Sequence, residues 1–199
     1  MIKPAGYLIS QHDGLYGYHG DYYDYLLGGN GLFIEARSDL LSVCLPIAVV
    51  PVRGLKDIEP RVELAHGRIP RHLWQLAFNL LLADAHQETY LAVTWEGEYR
   101  LRLPEQEQSG AMVKYSTVPG TLLDLHSHGE MKAFFSGTDD RDEQGFRLFA
   151  VCGSLDKGIT EVRMRVGIYG YFCPVLCRDV FDSFSGARDL ELGKEKDKL

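Results

Sequence analysis

No apolar run in this 199-residue chain approaches the roughly 18 residues that a membrane-spanning helix needs. A surplus of positive charge is also missing. Lys and Arg number 21 against 28 Asp and Glu, a formal charge of −7, whereas a general phosphate-backbone binder carries a basic stripe. The most basic stretch, Lys194-Glu195-Lys196-Asp197-Lys198, alternates with acids and reads as a solvated terminus. Cysteine is scarce, at Cys44, Cys152, Cys173 and Cys177. The start, Met1-Ile2-Lys3-Pro4-Ala5-Gly6, lacks the apolar core of a secretory leader. A reducing, cytoplasmic setting with free, buried thiols is the expectation. Phosphate-cradling loops are absent as well, since Gly28-Gly29-Asn30-Gly31 has neither the lysine nor the flanking helix they require.

What is present suits a soluble globular chain: 45% hydrophobic and 25% charged residues, enough to bury a core without staples. Three stretches differ in texture. Residues 1–66 read as a small β-rich module. In it, Leu15 to Leu27, with five tyrosines among glycines and aspartates, suggests loops or ragged strands. Gly31 to Arg37 reads as a strand after the Gly28-Gly29-Asn30 turn, and the prolines of Leu45 to Val52 put that segment at an edge or a bend. Residues 67–180 form the main domain, and 181–199 read as a polar tail.

Within the main domain Pro70 suits the first turn of a helix. Leu73, Leu76, Ala77, Leu80, Leu81 and Ala85 recur at helical spacing, so the helix is expected to end near His86-Gln87. Tyr90–Trp95 and Tyr99–Leu103 read as a hairpin across Glu96-Gly97, and Met112–Thr117 as the centre of a further strand. Leu122–His126, Phe146–Gly153 and Val162–Tyr169 complete the expected strands.

The informative segment is Asp124-Leu125-His126-Ser127-His128-Gly129, continuing to Phe135-Ser136-Gly137-Thr138-Asp139-Asp140. Histidines at i and i+2 on a strand point to one face, and at a strand end both can reach one ion. Asp139, eleven positions after His128, can return its carboxylate through the intervening loop. Two imidazoles and a carboxylate suit Zn2+ and leave a fourth position open, the catalytic rather than the structural arrangement.

His-x-His, then serine eight positions on, then aspartate three further, resembles the signature of the MPN/JAMM metalloprotease family (Mov34/MPN/PAD-1). His126, His128, Ser136 and Asp139 fill its four places. The family also has a glutamate between its first helix and the following strand, and Glu88 stands there. Ala133-Phe134-Phe135-Ser136, Gly67-Arg68-Ile69-Pro70 and Gly31-Leu32-Phe33-Ile34-Glu35 add similarity to family members carried by PRTRC cassettes (ParB-related, ThiF-related) of bacterial mobile elements. The MPN part of the resemblance covers residues 67 to about 175, and the N-terminal part is looser. It implies an α/β fold of MPN/JAB type, related to cytidine deaminases, with a curved mixed sheet flanked by helices. It implies His126, His128 and Asp139 as zinc ligands, Glu88 as general base toward the attacking water and Ser136 as donor to the oxyanion. The implied activity is isopeptidase-like cleavage of an amide bond at the C-terminus of a ubiquitin-like protein, with a ThiF/E1-like protein as a further partner and neither nucleic acid nor membrane. One departure stands out: the family usually has proline after the second histidine, and here it is Gly129, which implies a more mobile loop.

Other readings fit less well. Zinc deaminases need His-x-Glu with Pro-Cys-x-x-Cys. His128-Gly129-Glu130 supplies the first by coincidence, while Cys173-Pro174-Val175-Leu176-Cys177 has the wrong spacing. Amidohydrolases draw further histidines from downstream, and none follows His128. A non-catalytic MPN scaffold, with or without metal, remains the competing expectation. His86, near Glu88, is a candidate to line the cleft.

Overall fold

The computed structural model describes residues 2–109, 112–115 and 118–190, with side chains of 107–117 outside that description. The chain divides into two compact units, Met1–Gly67 and Arg68–Leu199. It is a mixed α/β protein with two large mixed sheets and three helices among the described residues.

The first unit is a six-stranded sheet of β1 (Ala5–Gln11), β2 (Gly14–Tyr18), β3 (Tyr23–Gly28), β4 (Gly31–Arg37), β5 (Leu41–Ala48) and β6 (Arg61–Leu64), in the order β2-β1-β3-β4-β5-β6. Only β1 and β3 run parallel. Leu8, Leu26, Phe33, Cys44 and Ile58 make its core. The tyrosine-rich stretch read as ragged is regular: it forms β2 and β3. The Tyr7 ring lies against its cross-strand neighbours Tyr18 and Tyr25, with centroids 5.8 and 5.5 Å away. Such aromatic pairs outweigh the poor strand propensity of the intervening Gly and Asp. Pro46 lies on a strand inside the sheet order, yet beyond the part of β5 that β6 covers, and beside a register shift. No ladder hydrogen bond on that side needs its missing N–H.

Asn30, in the two-residue turn between β3 and β4, ties the 49–60 loop to the sheet. Its Nδ2 donates to the Ile58 carbonyl and its Oδ1 accepts from the Ile58 N–H, both at 2.9 Å. Asn30→Ala is expected to cost about 1–3 kcal/mol by orphaning both backbone groups, read as a lower urea midpoint.

In the second unit, α1 (Arg71–Ala83) follows Pro70, whose φ of −58° leads into the helix. The helix ends at Ala83, a turn earlier than its spacing predicts, because Asp84 leaves helical geometry and a turn closes from its carbonyl to the Gln87 N–H. Leu76, expected on the apolar face, is exposed; Trp74 takes the buried place. The Trp74 ring packs on Phe78, Phe181 and Phe184, and its Nε1 donates to the Ser185 carbonyl at 2.8 Å. The polar tail expected from residue 181 is thus packed structure as far as residue 190. The rest of that tail, Lys194–Lys198 included, lies outside the described residues.

The strands that follow are β7 (Tyr90–Trp95), β8 (Tyr99–Arg102), the small hairpin β9 (Gln106–Ser109) and β10 (Met112–Tyr115), then β11 (Thr121–Ser127). Of the strand expected over Met112–Thr117, Ser116 and Thr117 lie outside the described residues. After the short α2 (Asp139–Asp142) come β12 (Phe146–Gly153), β13 (Thr160–Ile168), β14 (Tyr171–Val175), α3 (Cys177–Val180) and β15 (Ala187–Asp189). The sheet order is β14-β13-β12-β11-β7-β8, with β15 pairing β13. Flanking helix is sparser than expected, since α2 and α3 are four residues each. β11 sits near the middle, antiparallel to β7 and parallel to β12. A parallel pair cannot be joined by a hairpin, so residues 128–145 must cross over the sheet, and that crossover carries the site. All four cysteines are buried and free, and no described helix is long and apolar enough to cross a membrane.

Candidate metal centre

β11 is buried along its length until His126, where the sheet opens. The strand alternation sends His126 to one face; His128, one residue past the strand, is anchored by its N–H to the Cys152 carbonyl at 2.7 Å. The two imidazoles meet edge to edge, with Nε2 atoms 3.2 Å apart. Asp139, on the first turn of α2, brings Oδ1 to 3.6 Å from His126 Nε2 and Oδ2 to 4.0 Å from His128 Nε2. Three candidate ligands thus converge within 4.8 Å of one another. Donors on a tetrahedral zinc ion with bonds of roughly 2.0–2.1 Å stand about 3.3 Å apart, so this donor set fits such an ion with little movement.

Electrostatics favours the same use. Burial pulls His126 well below the usual imidazole range; the Asp139 charge opposes this, while His128 and Arg165 reinforce it. His128 is lowered by burial too, against Asp139 and the nearby Lys132 backbone. Among the described residues no atom stands in full hydrogen-bond geometry to its buried Nδ1. Imidazoles kept neutral are the form that ligates.

Ser136 and Asp139 hold each other. The Ser136 N–H donates to Asp139 Oδ2 at 2.5 Å, and Ser136 Oγ accepts from the Asp139 and Thr138 N–H groups, each at 3.2 Å. This reciprocal pair closes the turn that leads into α2. Both contacts use the hydroxyl as an acceptor, which leaves its own proton available to donate.

Glu88 lies in the extended link between α1 and β7, half-buried. Burial raises its carboxyl pKa, and the Asp139 charge adds to the rise. The residue that fixes this link is Ser127, between the two histidines and fully buried. Its Oγ accepts from the Thr89 N–H at 3.0 Å and donates to the Gln87 carbonyl at 3.3 Å, gripping the residues on either side of Glu88. Spacing gave no hint of this role; the one signal was that Ser127 shares its strand with the ligands.

His86 is mostly exposed and pairs with Glu130 at 2.7 Å, at the rim rather than inside. Gly129 takes φ +57°, a left-handed conformation closed to proline, and its carbonyl accepts from the Leu155 N–H at 3.0 Å. The departure from His-x-His-Pro therefore has a conformational reason: the chain turns differently here.

Below the ligands the same sheet face holds Asp124, which accepts from the Tyr90 hydroxyl and from Arg147 Nη1 at 3.2 Å. The buried Arg165 pairs with Asp140 and Glu143. Burial pushes Glu143 up to about 8, with Arg165 pulling against it.

Compared with known proteins, the chain matches no family model and no curated protein. The site stands on its own geometry.

Proposed function

We propose that this protein is a zinc-dependent amide hydrolase of the MPN/JAMM kind. The single observation that carries the reading is the convergence of His126, His128 and Asp139 within 4.8 Å, beside a glutamate whose pKa is raised by burial and by the Asp139 charge. Two nitrogens and one carboxylate oxygen are a zinc donor set with a position left for a reactant. Bound zinc supplies Lewis acidity and makes a water molecule acidic near neutral pH.

The chain's own groups would do the rest. Glu88, a carboxylate shifted toward neutrality, takes the proton of the attacking water and passes it to the leaving amine. Ser136 donates its free hydroxyl proton to the oxygen of the carbonyl under attack. Ser127 keeps Glu88 in place by holding Gln87 and Thr89. The substrate class we propose is an amide at the C-terminus of a ubiquitin-like protein, with a ThiF/E1-like protein as the partner that activates such a tail. Both rest on the motif resemblance.

The test is metal content by elemental analysis of wild type and His128→Ala. About one zinc per chain, lost in the variant, is expected, followed by cleavage of ubiquitin-like fusions by the wild type. No bound metal after zinc is supplied would overturn the reading in favour of a scaffold. Zinc without cleavage of any fusion would leave a metal-binding scaffold.

A further inference from the structure

The ligand-bearing crossover, residues 128–145, has little to hold it by itself, because its helix α2 is a single turn and one turn does not stand alone. Backbone bonds with Cys152, Ser154 and Leu155 hold its start, and its side-chain anchors from the sheet come from β13. The sheet register aligns His126 with Val151 and Val151 with Arg163; one step along, Asp124 aligns with Phe149 and Phe149 with Arg165. Residues in register share a face, so Arg163 and Arg165 rise on the ligand side, two strands and about 10 Å from β11. Arg163 Nε donates to the Ala133 carbonyl at 2.8 Å, pinning the first half of the crossover.

Arg165 takes the second half. Its Nε donates to Glu143 Oε2 at 2.7 Å and its Nη1 to Asp140 Oδ1 at 2.6 Å. Its guanidinium carbon lies 3.8 Å from the centroids of the Phe135 and Phe172 rings. Phe135 precedes Ser136, and Asp140 follows Asp139. One buried side chain therefore grips both ends of the Ser136–Asp139 turn. A buried guanidinium loses its hydration and needs carboxylate partners to offset that loss, which Glu143 and Asp140 supply. A lysine cannot replace it, having no planar fork to reach two carboxylates and lie on two rings.

We infer that Arg165 is a positioning residue for the metal centre: it sets the Ser136–Asp139 segment in register over the sheet so that Asp139 completes the ligand set. This rests on the metal reading given above.

The test is zinc affinity by competition with a chromophoric chelator, alongside thermal unfolding, for wild type, Arg165→Lys, Arg165→Met/Glu143→Gln and His128→Ala. The double variant removes the carboxylate that a single Arg165 substitution would leave buried and unpaired, so it keeps the fold. The expected result is a 10–100-fold loss of zinc affinity in the folded double variant, with little recovery in Arg165→Lys. Hydrogen exchange in residues 135–143 should rise in the metal-free double variant while that of β11 and β12 stays unchanged. Wild-type zinc affinity in the folded double variant overturns the inference and leaves the metal reading intact. Absence of zinc from the wild type overturns both.

Discussion

Glu88→Gln is expected to keep its zinc and to lose amide hydrolysis by about 10²–10⁴-fold, the usual contribution of a positioned general base. Glutamine preserves the volume and the hydrogen-bonding reach of the side chain but cannot accept and return a proton. The backbone on either side is held by Ser127, so the amide should stay where the carboxylate was. His126→Ala and Asp139→Ala, which remove one of three converging donors, should lose metal and activity together. Zinc content and kcat/KM on a ubiquitin-like fusion, measured on the same preparations, separate the two classes. Equal zinc retention in all three variants would remove the ligand assignment, and undiminished turnover in Glu88→Gln would remove the base.

Gly153→Ala should be the most damaging single-methyl change in the second unit. Gly153 ends β12 where the crossover leaves His128, and a β-carbon there would lie 2.3–2.4 Å from backbone atoms of Met131, Lys132 and Ala133. No rotamer relieves a clash with main chain, so the 131–133 segment must move away from the strand. Its hydrogen bonds, from Ser154 N–H to the Met131 carbonyl at 2.6 Å and from Arg163 to Ala133, would then break. A loss of at least about 3 kcal/mol, the upper end for overpacking, is expected in urea unfolding, together with weakened zinc binding because His128 moves with the segment. An unchanged midpoint with wild-type zinc content would show that the crossover does not need this close approach.

The donors of the site were legible in the sequence because their geometry is local. His126 and His128 are related by the two-residue period of a strand, and Ser136 and Asp139 by their offsets from the second histidine in the family motif they resemble, both readable without knowing the fold. Glu88 was legible as the acid at a helix-to-strand junction. Arg165, by contrast, meets Asp140 and Glu143 through a register that passes across β12, and a string of residues carries no trace of which strands are neighbours. Ser127 is similar: its partners Gln87 and Thr89 lie some 40 positions earlier. The polar look of the C-terminal stretch concealed Phe181 and Phe184, whose purpose appears only once Trp74 turns inward. The early end of α1 at Ala83 was invisible to periodicity, because Ala85 fits the helical repeat and only the backbone at Asp84 departs from it.

The parallel pairing of β11 and β12 has a consequence for how the protein comes to exist. Pairing of distant strands is slow, because the intervening chain must close a loop before any contact rewards it. The imidazoles are set together by a short local segment, whereas the crossover that carries Asp139 is pinned by arginines of β13, so its carboxylate is expected to settle only once β12 and β13 have docked. A newly made chain therefore offers a metal two nitrogens first and the oxygen last. On the proposed reading, firm zinc binding would be a property of the finished domain, with loading expected at the end of folding rather than at its nucleation.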